Sequence, residues 1–239
     1  MERLTEKNQM FKLHNHFDVA RLLGHPAFDH LAKACLVYSE VHDHNLIDPS
    51  VHDWSKCFDY QMLLTKLQRV ELEACVHAVV LFQAMMEKVP YFVPTLCKEL
   101  KPLKVTGFRE SWDTLLDQTN SDDKPHAKDA FSKYYTDFYK GMRNPIIHGR
   151  DESDIEKVNS IHTALVHDGM KAGWSAYDYL LTEAFRANGE SHEPSWSSIC
   201  AMHYIPEVFD SNKFPNLREL SGIYLKRYED GLSAATDAD

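Results

Sequence analysis

From Val51 to Lys88 the chain contains neither glycine nor proline. A stretch of that length without turn chemistry, with Leu72, Val76, Val79, Val80 and Met86 as its apolar positions, predicts a long buried central helix. It is long for one globular helix, so a break is expected near residues 57–59, and Pro90 and Pro94 should end it. Glycine is scarce everywhere, with 9 in 239 residues, and strand-like alternation never lasts beyond four or five positions. The fold class that follows is all-α, a compact helical bundle with extra helical segments at both ends.

The flanking sequence supplies further helices. Residues 17–23 suggest a short one, ended near Gly24-His25-Pro26, and a second runs from Pro26 to His42 with Phe28, Leu31, Ala32, Cys35 and Leu36 on one face. Asp48-Pro49 has the cap-then-proline form of a helix start. A helix is expected around Arg109 to Leu116, then a polar loop over residues 117–125. Phe131, Tyr135, Phe138 and Met142 form an aromatic stripe best accounted for by core packing. Ser153 to Glu156 reads as a capping box, starting a helix with Ile155, Val158, Ile161 and Leu165 inward, and Gly169 and Gly173 allow a break. Tyr177, Leu180, Leu181, Ala184 and Phe185 mark another helix face, ended by Asn188-Gly189. Residues 190–215 look irregular, and a last helix over Leu217 to Tyr228 precedes an acidic, disordered-looking tail.

A formal net charge of −10 argues against broad non-specific nucleic-acid binding, which needs a basic face, but leaves room for a local basic site. Five widely spaced cysteines without a CxxC pair read as reduced, mostly buried thiols. No apolar run approaches the roughly 20 residues that cross a bilayer, and the N-terminus lacks an apolar signal core, so a cytoplasmic protein with no membrane partner is expected.

The stretch from Tyr134 to Asp151 stands apart. It places Asn144-Pro145 after an aromatic-rich helix and reaches His148 before Gly149. Asparagine before proline suggests that the helix breaks there, with Asn144 as the N-cap and Pro145 as the first residue of a new turn. Arg143 and His148 then occupy the two positions where a hydrophobic staple normally forms. A guanidinium and an imidazole in those places suggest chemistry. The bare spacing is weak evidence, since Arg186 and His192 nearly repeat it.

With its context, Arg143-Asn144-Pro145-Ile146-Ile147-His148 resembles the hallmark of the HEPN family (higher eukaryotes and prokaryotes nucleotide-binding), an Arg-Asn-x3-His set late in a compact helical bundle. The resemblance covers about residues 62–188 and leaves an N-terminal helical extension, 1–61, and a C-terminal loop, helix and tail, 189–239, unassigned. It implies a metal-independent endoribonuclease, with no cofactor and no metal. Arg143 would bind the phosphate, His148 would serve as general acid or base, and Asn144 would act as catalytic residue, cap or both. Lys140 and Arg150 flank the motif and are the nearest candidates for RNA contact. Attack by a 2′-OH makes RNA rather than DNA the substrate. One histidine does not easily serve as base and acid in the same step, so a homodimer with a shared cleft is expected. Other members of the family bind RNA, nucleotides or proteins without catalysis. Members often work in toxin–antitoxin or antiviral systems, so a protein partner or antitoxin is a further expectation.

A competing pattern lies in the doublets His42-Asp43, His52-Asp53 and His167-Asp168, which invite comparison with metal-dependent HD phosphohydrolases. Such a site needs an earlier histidine, His16 or His30, and a distant aspartate such as Asp117, all converging on one ion. With 14 histidines in the chain, matches of this kind arise by chance.

Overall fold

The computed structural model describes residues 2–97, 100–101, 103, 107–190, 195–210 and 213–236; side chains are described from residue 20 onward, except that of residue 21. Helices α1 (Glu2–Asp43) and α2 (Cys57–Met86) pack along each other as the spine. Around them lie α3 (Val89–Leu96), α4 (Phe108–Asp117), α5 (Lys124–Lys133), a π-helical segment (Tyr134–Arg143), α6 (Asn144–His148), α7 (Glu152–Asn159), α8 (Thr163–Ala187), α9 (Trp196–His203) and α10 (Leu217–Thr236). There is no strand among the described residues, and the all-α expectation holds.

The spine is covered differently at its two ends. In the principal core, Phe28 and Leu31 of α1 and Phe82 of α2 meet Phe131, Phe138, Met170, Leu180 and Ile199. A second cluster joins Tyr38 and Val41 to Leu64 and to Leu217, Leu220 and Tyr224 of α10. The principal core thus draws on residues from all three of the stretches at 1–61, 62–188 and 189–239.

Among the described residues Glu71 is the one acidic side chain buried in the spine, at 2% exposure. Its Oε1 accepts the Tyr38 hydroxyl at 2.7 Å, the Thr163 hydroxyl at 2.6 Å and the Thr163 amide at 2.9 Å. Thr163 opens α8, whose own N-cap residue, His162, makes no side-chain capping bond. A carboxylate from α2 therefore caps α8 from outside, meeting one of its orphan amides and the positive end of its dipole. Burial and then the Glu71 charge push the Tyr38 phenol far up, so it stays a donor.

Several expectations are corrected. Helix α1 runs unbroken through Pro26, where two helices were expected. Helix α2 ends at Met86, ahead of both prolines, which lie within α3: Pro90 falls in its first turn, where a missing amide costs nothing, and Pro94 in its interior. On α2 the buried face is Glu71, Cys75, Ala78, Val79 and Phe82; Val76 and Val80 lie at its margin. Helix α7 is capped by Asp151, which accepts from the Asp154 amide, and not by Ser153. It buries no residue: Ile155 is 59% exposed, and of the two expected inward residues beyond the helix Ile161 is buried as expected while Leu165 is 43% exposed. Helix α8 passes straight through Gly169 and Gly173. The region at 190–215 contains α9, and α10 extends through most of the tail. The expected break near residues 57–59, where α2 begins, the Asp48 cap, here on a 3-10 turn, and the stop at Asn188-Gly189 agree with the structure.

The largest correction concerns the motif. The chain does not break at Asn144. Arg143 (φ −61, ψ −45) and Asn144 (φ −65, ψ −45) are both helical, and neither residue makes an N-capping bond. An α-helical Pro145 would crowd the carbonyl four residues back and leave it without a donor. The chain meets this by widening into a π-helix, in which the Asn144 amide reaches back five residues to the Tyr139 carbonyl. There is consequently no staple position for Arg143 and His148 to occupy.

The wide turn has a second consequence. Residues four apart stay closer to one line than the roughly 3.6-residue α-turn allows. Tyr134, Phe138 and Met142 form an inner row, all buried. Tyr135, Tyr139 and Arg143 form an adjacent outer row, half-buried. The inner row sits on α8 because two positions there carry no side chain. A Cβ at Gly173 would lie 2.7 Å from the Tyr134 ring and 2.8 Å from Phe82, and one at Gly169 would overlap Phe138.

Candidate functional site

Arg143 ends the outer row. Its Nη1 lies 3.2 Å from His148 Nε2 and donates to Asn144 Oδ1 at 3.1 Å. A guanidinium only donates, so Nε2 is the acceptor in this arrangement and the ring proton sits on Nδ1. A histidine in that form has one lone pair, here turned to Arg143, and it can act as a base once a phosphate draws the guanidinium away. His148 is exposed, and Arg143 is about one-fifth exposed. The structure thus brings together three of the five residues predicted from sequence. Asn144 holds the guanidinium and caps nothing.

Arg143 is held from two other directions. Its Nη2 lies 3.7 Å from Glu87 Oε1, at the C-terminal end of α2, and its Cζ sits 5.3 Å from the centroid of the Tyr139 ring. Behind Glu87 runs a buried relay. The Tyr134 hydroxyl donates to Gln83 Oε1, which leaves the Gln83 amide nitrogen to donate to Glu87 Oε1 at 3.1 Å. Burial, and then the Glu87 charge, push the Tyr134 phenol well up, so it remains a donor. A donor that cannot ionise fixes which end of the Gln83 amide faces Glu87. Glu87, Gln83 and Tyr134 therefore orient Arg143 from the core outward. Of Glu71, Glu73 and Glu87 on this stretch of sequence, it is Glu87 that reaches Arg143, whereas Glu71 caps α8. Gln83 and Tyr134 carried no signal, because their roles depend on contacts far apart in the chain.

Lys140 and Arg150 are both exposed. Lys140 lies on the outer face of the π segment with its Nζ 5.1 Å from the Tyr135 centroid. Arg150 follows Gly149 in the link to α7, and its amide donates to Asp154 Oδ2 at 3.3 Å. That bond and Lys157 hold the Asp154 carboxyl below its usual range. Arg109, in the first turn of α4, also lies over Tyr135, at 5.0 Å. Tyr135 and Tyr139 stack 5.2 Å apart at 14°. The expectation that Tyr135 belongs to the core is half right: it is half-buried, and Tyr134 fills the buried place.

The histidine–aspartate doublets go to separate places. His42 Nε2 contacts the Lys213 carbonyl, His52 Nε2 contacts the Asn45 carbonyl, and His167 is buried beside Trp196 and Phe209. Burial lowers the His167 pKa despite the adjacent Asp168. Among the described residues no group of three metal-ligating side chains converges. His192, the partner in the loose Arg186 match, lies outside the described residues. The five cysteines are free, four of them buried, and burial raises the Cys35 thiol to about 12. No described helix is long and apolar enough to cross a membrane.

Comparison with protein-family models, with curated proteins and with solved structures finds no match.

Proposed function

We propose that the chain is a HEPN-like, metal-independent endoribonuclease in which Arg143 and His148 act on one phosphodiester. The observation that carries this reading is the 3.2 Å approach of Arg143 Nη1 to His148 Nε2 at an exposed helix end. A phosphate drawn to the guanidinium would lie within reach of the imidazole. Nε2 would take the proton of the neighbouring 2′-OH, and the 2′ oxygen would attack phosphorus and expel the 5′ oxygen. Arg143 would stabilise the charge gathering on the non-bridging oxygens. The leaving 5′ oxygen needs a proton, and the His148 of a second copy would supply it. The apolar surface near the motif, Ile147 at 48% exposure and Ile155 at 59% on a helix that buries nothing, supports such a homodimer. Lys140 and Arg150 would bind flanking RNA.

The Glu87 ion pair favours a second reading, in which Arg143 merely ties α2 to the π segment and the pair is a binding or packing feature without catalysis. Incubation of purified protein with RNA in EDTA separates the two. The first reading expects cleavage that survives the chelator and falls by about 10²–10⁴ in His148→Ala, together with a dimer on sedimentation. Unchanged cleavage in His148→Ala, or variants of Arg143 and His148 that alter only the melting temperature, would sink it.

A further inference from the structure

We infer that Arg109, Lys140 and Arg143, held against the Tyr135–Tyr139 stack, form a track for the phosphates of unpaired RNA leading to the cleaved bond. This rests on the ribonuclease reading above. The track comes from two elements distant in sequence, the first turn of α4 and the outer face of the π segment.

Each cation leans on a tyrosine at nearly one distance: Arg109 and Lys140 at 5.0 and 5.1 Å from Tyr135, and Arg143 at 5.3 Å from Tyr139. The two rings are almost parallel, so the three charges follow one ladder and are not scattered over a surface. Phe108 stacks on Tyr139 from α4 at 5.0 Å and fixes the ladder against the core. Long basic side chains usually lose much freedom on gripping a phosphate; resting on a ring removes part of that loss beforehand. Arg143 already faces a carboxylate of the protein, Glu87 Oε1 at 3.7 Å, which is 41% exposed and leaves the guanidinium further donors. Arg109 has a competing partner, Asp113 Oδ2 at 3.4 Å, but both side chains are about half exposed and a phosphate can displace so weak a pair.

Unpaired RNA fits better than a duplex. The three cations share one pair of stacked rings, and a basic surface tracking a single backbone beside aromatic side chains is the usual form of single-strand binding. In-line attack by a 2′-OH also needs a backbone free to leave the A-form geometry that pairing imposes.

The test uses the full chain in a His148→Ala background, so that bound RNA stays intact, and a fluorescein-labelled, unpaired 12-nucleotide RNA followed by anisotropy at two salt concentrations. Arg109→Ala and Lys140→Ala should each weaken binding about 5- to 10-fold and flatten the salt dependence by about 0.7 of a log unit per lost phosphate contact. Tyr135→Leu, which frees two cations at once, should weaken binding comparably while circular dichroism stays unchanged. Lys226→Ala, at an exposed lysine of α10, should have no effect. Full affinity in the Arg109→Ala, Lys140→Ala double variant, or a loss matched by Lys226→Ala, would overturn the track. If the wild type cleaves RNA while binding ignores Arg109 and Lys140, the track fails and the ribonuclease reading stands. RNA binding that depends on both residues, without cleavage by the wild type, supports the track and removes the ribonuclease.

Discussion

Glu71 and Glu87 lie on one helix and do opposite work. Glu71 spends one oxygen on three donors, all inside the protein, and is closed to solvent. Glu87, at the helix end, is 41% exposed and touches Arg143 only loosely, at 3.7 Å. The contrast separates a polar group that stabilises a fold from one that prepares a site. A buried carboxylate with all its neighbours bonded holds helices together, and its loss strands donors that water cannot reach. A half-exposed carboxylate beside an arginine orients it while leaving donors for a ligand.

The strongest way to break this contrast is Glu71→Ala. It leaves both Thr163 donors short of an acceptor, while the Tyr38 hydroxyl keeps the Pro215 carbonyl at 3.1 Å; at roughly 1–3 kcal/mol for each unsatisfied group the expected loss is about 2–5 kcal/mol in denaturant unfolding. Glu71→Gln, which keeps an acceptor, should cost markedly less. Equal costs would mean that charge at the α8 N-terminus, and not bonding, carries the effect.

Gly173→Ala comes next. Its methyl would press on Tyr134 and Phe82, with an expected loss of about 1–3 kcal/mol. Because Tyr134 anchors the relay behind Glu87, cleavage should fall as well, which Glu71→Gln should not cause. A drop in stability with unchanged cleavage would disconnect the core from the site.

Asp178 on α8 sharpens the comparison through pH. Burial raises its carboxyl from 3.8 to about 6. The folded state therefore holds a proton that the unfolded chain gives up, and stability present below pH ~4 should decline as pH rises through about 6. The group is only half-buried, so after allowance for screening the effect is about 1 kcal/mol. Asp178→Asn should abolish this slope, and an unchanged slope would assign it to another group.

The smallest expected stability change is Glu87→Gln, within about 0.5 kcal/mol for a partly exposed pair. Cleavage should nevertheless drop about tenfold, with RNA affinity little changed, because Arg143 loses its orientation. A stability loss rivalling Glu71→Ala would make Glu87 a second structural carboxylate.

The sequence was most legible where the signal was local and strongly periodic. The absence of turn residues over 51–88 identified the central helix, and Asp48-Pro49 and Asn188-Gly189 marked real boundaries. It misled where a proline was taken as a stop. Pro26 and Pro145 both lie within continuous helical backbone, and at Pro145 the π-widening supplies what an α-helix could not. Arg143, Asn144 and His148 were found together, though through an N-cap geometry that does not exist; they meet at the end of an unbroken helix. The π register also explains why Tyr135 and Tyr134 exchanged roles, since a pattern counted on α-helical spacing cannot foresee it. Arg109, Gln83 and the ladder rest on contacts between distant elements, which no single window of sequence contains.

The chemistry of the ends left on cleaved RNA tests the central claim most directly. If His148 and Arg143 drive 2′-OH attack, wild-type protein in EDTA should yield 2′,3′-cyclic phosphate and 5′-hydroxyl ends, leave 2′-O-methyl RNA intact, and lose both products in His148→Ala. Products with 3′-hydroxyl and 5′-phosphate ends, or equal cleavage of DNA, would contradict it.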